Sequence, residues 1–329
     1  MRSRITYVAI VALLLVAATA APGVQAQKKH QNAIVDIWAQ GKPVFGVYVP
    51  SVGQPLWNAP APPPANRGNR GQGQPGAAPA PGARGQQVRP DPIYTREIGE
   101  ELAKDPLVDF AFLNEEGLYD ASGTKAILDG LRAPGAPHRV SLLVRIPSIQ
   151  EAGAEKTRVR VTQLMDMGVD GIVHPENRGL EDAKLVVTFH QDAKADTWSP
   201  TNPNGEKISM IMLEDPAAVL QAPQVADMKN FSIIACGIGS LGGAFREGGI
   251  VDALTAWGLL TRPKEQADQY NEIGTMKILA EAKRVGIPDM LTANSGSVEQ
   301  RVKQGFLALL MSGPGSDDAI KLGRAAAGR

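Results

Sequence analysis

The chain has a single cysteine, Cys236, in 329 residues, which excludes an intramolecular disulfide. It lies in the apolar run Phe231-Ser232-Ile233-Ile234-Ala235-Cys236, where a small buried hydrophobe is expected rather than a nucleophile. An excess of either charge is also missing. The 34 lysines and arginines balance 34 aspartates and glutamates, so nothing draws the chain to nucleic acid or to an acidic membrane surface. The apolar run from Ile5 to Ala20 is short for a membrane span. With Arg2 and Arg4 before it and Val24-Gln25-Ala26 after it, it reads as a secretory signal rather than an anchor. Residues 1–26 are therefore expected to be removed, leaving an exported protein, periplasmic or secreted, with no membrane attachment.

A chain of this length holds one large barrel or two domains. Its organising stretch is Ile208-Ser209-Met210-Ile211-Met212-Leu213-Glu214-Asp215-Pro216. A continuous apolar run of this kind reads as a parallel strand buried on both faces, with Glu214 where the strand ends. In a parallel α/β sheet or barrel that end carries the ligand site. The alternative role for Glu214 is to cap the helix that Pro216 opens.

Seven further strands are expected. They are Val44–Val49, Val108–Leu113, Val140–Ile146, Gly171–Glu176, Phe231–Cys236, Met290–Asn294 and Gly305–Met311, with helical patterns between most of them. Eight strands alternating with helices give an α/β fold, a (β/α)8 TIM barrel over 27–329, with a doubly wound open sheet as runner-up. A stretch dominated by Pro, Ala, Gly, Gln and Asn interrupts the pattern from Gly53 to Pro90, with Arg67, Arg70, Arg84 and Arg89 as its only charges. It has too little to bury to offset its ordering entropy, and is expected to be a disordered insertion.

In a barrel, the strand ends gather Glu115, Glu116, Arg145, His174, Glu176, Glu214, Ser240 and Asn294 at one mouth. An arginine among carboxylates suits a small anionic substrate, and converging carboxylates suit a hard divalent cation, Mg2+ or Mn2+. Arg145 would alternatively be a structural ion-pair partner, and His174 a satisfied, half-buried histidine.

The segments Leu142-Leu143-Val144-Arg145-Ile146-Pro147, Met167-Gly168-Val169-Asp170-Gly171-Ile172-Val173-His174-Pro175, Met210-Ile211-Met212-Leu213-Glu214 and Leu291-Thr292-Ala293-Asn294 follow in order. Together they resemble the HpcH/HpaI aldolase and citrate lyase family of metal-dependent barrels, from about Val44 to Arg329. The resemblance implies a carbon–carbon lyase of the aldehyde-lyase (aldolase) class acting on a small 2-oxo acid or sugar acid through a metal-stabilised enolate. It places the substrate-holding, enolate-stabilising arginine on Arg145 and the first metal-binding glutamate on Glu214.

The sequence departs from the family pattern twice. The loop Gly237-Ile238-Gly239-Ser240-Leu241-Gly242 has Ser240 where the family has its second metal ligand, an aspartate. Where the aldolases carry a Glu-His pair, this chain reads Glu116-Gly117, without the basic histidine. His174 as base and Glu176 as replacement ligand would repair both losses. The expected site is then Arg145, His174 and Glu116 as catalytic residues, Arg145, Gly239 and Ser240 at the substrate, and Glu214 and Glu176 at the metal. A homo-oligomer is expected. The rival is an exported, non-catalytic binding protein for a carboxylated small molecule. Protein from the native host is predicted to begin at Gln27 by intact-mass measurement; retention of residues 1–26 would overturn the export reading.

Overall fold

The strands alternate their side chains between two apolar layers, and this closes them into a ring. Phe110 and Phe112, Leu143, Val173, Met210 and Met212, Ile233 and Ala235, Met290, Ala308 and Leu310 pack together inside it. Their neighbours Ala111, Leu113, Leu142, Val144, Ile172, Ile211, Leu213, Ile234, Leu291 and Leu309 pack outward against the helices. This period of two, apolar on both faces, is what a barrel strand requires. In the computed structural model, which describes residues 29–62, 93–247, 255–256, 258 and 263–329, the strands are β1 (Val44–Tyr48), β2 (Phe110–Asn114), β3 (Ser141–Arg145), β4 (Gly171–Asn177), β5 (Ile208–Leu213), β6 (Ile233–Cys236), β7 (Asp289–Thr292) and β8 (Ala308–Met311). They form a closed barrel in sequence order, each parallel to its neighbours, so the open-sheet alternative is set aside. The barrel lies within one unit, Gln31–Arg329.

The helix α1 (Ala33–Ala39) closes the barrel floor. Its Ile34, Val35 and Trp38 join the inner layer, and the Trp38 indole donates to the Leu307 carbonyl at 2.8 Å. Two buried aspartates tie the same end together. Asp109 accepts from the Phe45 amide at 2.8 Å and from Arg324 and Arg329, while Asp170 accepts from the Leu142 amide at 2.7 Å and from Arg132 and Arg139. Buried carboxylates are tolerated because they are paired in this way. Cys236 is buried, as expected of a small hydrophobe in that run, and burial pushes its thiol up to about 12.

The insertion begins later than its composition implies. Trp57 is among the largest fully buried side chains, at 1 % exposure. Its indole donates to Asp105 at 2.7 Å, its carbonyl accepts from Ser316, and the Ala59 carbonyl accepts from Gly315. The expectation of disorder from Gly53 fails over 53–62, because one large aromatic supplies the burial that the surrounding Pro and Ala do not. The rest of that expectation, and the signal segment 1–26, lie outside the described residues. Among the described residues no helix is long and apolar enough to cross a membrane.

Replacing Trp57 by alanine is predicted to cost about 3–5 kcal/mol in chemical denaturation, the range for deleting a buried large aromatic. A loss under about 1 kcal/mol would mean that the segment is only draped on the barrel.

Candidate active site

On β5, Met210 and Met212 point inward and Ile211 and Leu213 outward, so the next residue, Glu214, turns toward the lumen. The adjoining carboxylates divide two roles. Asp215 caps the helix that starts at Pro216, accepting from the Ala218 amide at 2.8 Å. The capping alternative thus falls on Asp215 and leaves Glu214 at the mouth, 4 % exposed. Glu214 Oε2 accepts from the Glu176 amide at 2.6 Å. Among the described residues its Oε1 accepts no hydrogen bond, and Arg145 Nη2 stands 3.9 Å away. Gly237, just after β6, leaves room for this carboxylate: a Cβ there would stand 1.7 Å from Oε1.

Arg145 ends β3 pointing into the mouth, and its Nη2 pairs with Glu116 Oε2 at 2.7 Å. Its Nε is buried without an acceptor. Burial pushes the Glu116 carboxyl above the ordinary range; Arg145 opposes this shift, and Glu214 and Glu176 add to it. Tyr48, at the end of β1, belongs to the same group. Burial raises its phenol and Arg145 counteracts.

The strand β4 breaks the alternation. Between His174 and Asn177 its pairing with β5 slips, and Glu176 adopts φ 53°. Three residues of β4 there advance against two of β5, which shifts the phase of everything after His174. His174, ahead of the slip and next to the inward Val173, faces outward by simple alternation, against the helix Leu180–Asp192, with its Nε2 3.1 Å from His190 Nε2. Both rings are buried, and burial holds both below the usual imidazole range, His190 at about 4. A neutral pair sharing one hydrogen bond holds a helix on a strand. The structure therefore does not bring His174 to the mouth. Glu176, past the bulge, does face it.

Two other mouth candidates serve local structure. Glu115 turns outward, accepting from Thr124 Oγ1 and from the Asp120 amide, and burial pushes its carboxyl up to about 7. Asn294 Oδ1 accepts from the Gly296 amide at 2.9 Å, forming the turn before the helix Val298–Gln304.

A cavity of about 520 Å3 opens beside this group, lined by Glu176, Arg178, Glu214, Asp215, Gly239 and Ser240 among others. It brings together four of the expected residues: Glu176, Glu214, Gly239 and Ser240. Ser240 lies exposed in the first turn of the helix Ile238–Glu247. Among the described residues no three His, Cys, Asp or Glu side chains are placed to hold one ion. A hard dication such as Mg2+ takes one or two protein carboxylates and completes its shell with water and substrate oxygens. The free Oε1 of Glu214 and the Glu176 carboxylate on the same wall fit that demand, and the neutral Ser240 hydroxyl is a poor third donor.

Solved structures with this fold include three to which the chain is similar. One is an HpcH/HpaI aldolase/citrate lyase family protein from Burkholderia cenocepacia J2315, at 14% identity and TM-score 0.55, covering 89% of this chain and 96% of that one. Another is the HpcH/HpaI aldolase from Desulfitobacterium hafniense DCB-2, at 16% identity and TM-score 0.52, covering 84% and 89%. The third is the citrate synthase SbnG, at 12% identity and TM-score 0.53, covering 86% and 91%. At such identities the likeness is one of fold, and it falls on the family whose motifs the sequence resembles. No protein-family model and no curated protein matches the sequence.

Gly237→Ala is predicted to displace the Glu214 carboxylate and weaken Mn2+ binding at least about ten-fold by calorimetric titration, while the overpacking costs about 1–3 kcal/mol of stability. Unchanged Mn2+ affinity would separate Glu214 from the cation.

Proposed function

We propose that the chain is a metal-dependent carbon–carbon lyase, a divergent HpcH/HpaI-type aldolase, which makes or breaks the aldol bond of a small 2-oxo acid or sugar acid. The observation that carries this is Arg145 at the barrel mouth, paired with Glu116 and facing Glu214 beside the cavity. Mg2+ or Mn2+ held by Glu214 and Glu176 would supply Lewis acidity toward the keto oxygen.

The chain's own residues supply the rest. Arg145 offers the buried, unpartnered Nε–H to the oxygen where negative charge develops. Gly239 and Ser240, in the opening turn of a helix, orient the substrate carboxylate with backbone amides and a hydroxyl. With His174 committed to His190, Glu116 is left as the proton carrier. Its burial-raised pKa suits a carboxylate that takes the proton of the aldol hydroxyl as the bond breaks and returns it in synthesis. The same reading takes the protein as an exported homo-oligomer with a small-molecule partner and no nucleic acid.

Ser240 in place of an aspartate favours a second reading, a binding protein for a carboxylated ligand without turnover. Exchange of the pyruvate methyl protons in D2O, followed by NMR, distinguishes the two because enolisation needs no aldehyde partner. Mg2+-dependent exchange is predicted, abolished by EDTA and slowed about 100-fold or more in Arg145→Ala. Calorimetric binding of 2-oxo acids with no exchange would sink the lyase reading in favour of the binding protein.

A further inference from the structure

Glu115, at 0 % exposure, is more deeply buried than any of the carboxylates that face the mouth. A carboxylate held so far from water is costly to keep, and the backbone of this one joins both halves of the Glu116–Arg145 pair. Its amide donates to the Arg145 carbonyl at 2.8 Å, and its carbonyl accepts from the Leu118 amide at 3.2 Å. Glu116 is its neighbour in the chain. The peptide that carries Glu116 is therefore also the one that registers it against its guanidinium partner.

The side chain fixes that peptide from behind. Glu115 accepts from Thr124 Oγ1 and, through Oε2, from the Asp120 amide at 3.2 Å. Both donors stand at the start of the helix Ala121–Leu131, where Asp120 is the N-cap. Glu116 has weaker anchors of its own. Its amide donates to Asn114 Oδ1 at 3.3 Å, a Cβ at Gly117 would meet nothing within 4 Å, and Leu118 is half exposed.

This clamp responds to charge. Ionised, the carboxylate accepts from both donors at once; protonated, it must reverse the bond to Thr124 or release it. Burial pushes its carboxyl up to about 7, against the pull of Thr124, the Asp120 amide and the Arg160 guanidinium, while the Asp120 carboxylate adds to the rise. Arg160 comes from the helix Ala154–Met167, and among the described residues its buried Nη1 has no acceptor. Its guanidinium lies 4.8 Å over the ring of Tyr119, whose hydroxyl donates to Gln163. The sign follows: the full clamp is present above about pH 7 and slackens as pH falls through that value.

We propose that Glu115 is a positioning residue, whose carboxylate clamps the turn after β2 so that Glu116 stays seated on Arg145 for proton transfer. The inference rests on the lyase reading and adds to it a residue that never touches the substrate.

The test follows Mg2+-dependent exchange of the pyruvate methyl protons by NMR across neutral pH, in the full chain. The wild-type rate is expected to rise through an inflection near pH 7. Glu115→Gln is expected to remove that inflection and to lower the maximal rate about ten-fold or more, with the KM for pyruvate and the Mn2+ affinity within about two-fold of wild type. Thr124→Val deletes a bond that favours the ionised form, so its inflection moves to higher pH. A merely structural clamp would cost rate or stability and leave the profile where it is. An inflection that persists unchanged in Glu115→Gln or stays unmoved in Thr124→Val, or an undiminished rate in Glu115→Gln, overturns the assignment while the lyase reading stands. If Glu115→Gln does not fold, the Thr124→Val profile decides alone. Absence of Mg2+-dependent exchange in wild type at every pH sinks the lyase reading and this inference with it.

Discussion

Everything at the mouth depends on seating the Glu214 carboxylate in a place where only 4 % of the residue is exposed. A buried, uncompensated charge costs several kcal/mol, and three separate elements meet that cost here. β4 lends the Glu176 amide, β3 lends Arg145, and the residue after β6 has no side chain at all. Each contribution would be unremarked in isolation. Together they explain why Arg145 leans toward the carboxylates, why Gly237 stands where it does, and why one carboxylate oxygen stays open toward the cavity. The Glu116–Arg145 pair stands on the other side, where burial pushes the Glu116 carboxyl above its ordinary range.

The slip in β4 is the geometric counterpart of that constraint. The Glu176 amide reaches Glu214 because the strand bends there, and the bend requires a left-handed residue. Strain of this sort in a non-glycine residue persists when the surroundings overdetermine it and collects at functional sites. Here it is stabilised by a 2.6 Å charge-assisted hydrogen bond and by the buried Asn177 amide clamped across two strands. The same step brings Glu176 to the mouth, while His174, ahead of it, stays in the helix layer where plain alternation puts it.

All eight strands were legible in the sequence because strands buried on both faces are written as apolar runs, and their ends follow within a residue or two. Arg145, Glu116 and Glu214 followed from those ends. The error at His174 has one cause: simple alternation puts it on the same face as Glu176, and a bulge leaves no mark in the pattern except a proline between them. Glu115 was misplaced by the opposite fault, since a carboxylate beside a strand end looks like mouth chemistry when it is docking a helix through Thr124. Tyr48 was recoverable, being the inward residue at the end of β1. Trp57 could have been weighed as the one large aromatic in a segment dismissed on its average composition. Gly237 could not have been singled out, because its role comes from its approach to Glu214 on the neighbouring strand.

The packing of Trp57 bears on how the insertion is joined to the barrel. The chain leaves β1 at the mouth, is held by Trp57 and Ala59 against the start of the last helix, and is tied again where the Val52 amide meets the Ile93 carbonyl at 2.8 Å. The described residues on either side of 63–92 are thus held at fixed posts. The closure cost of a connection between fixed posts grows slowly with its length, by about 0.6 kcal/mol for each doubling. That makes the span after Ala59 a natural splice point: sequence can accumulate or vanish there without the strand register, the floor or the carboxylates at the mouth having to change.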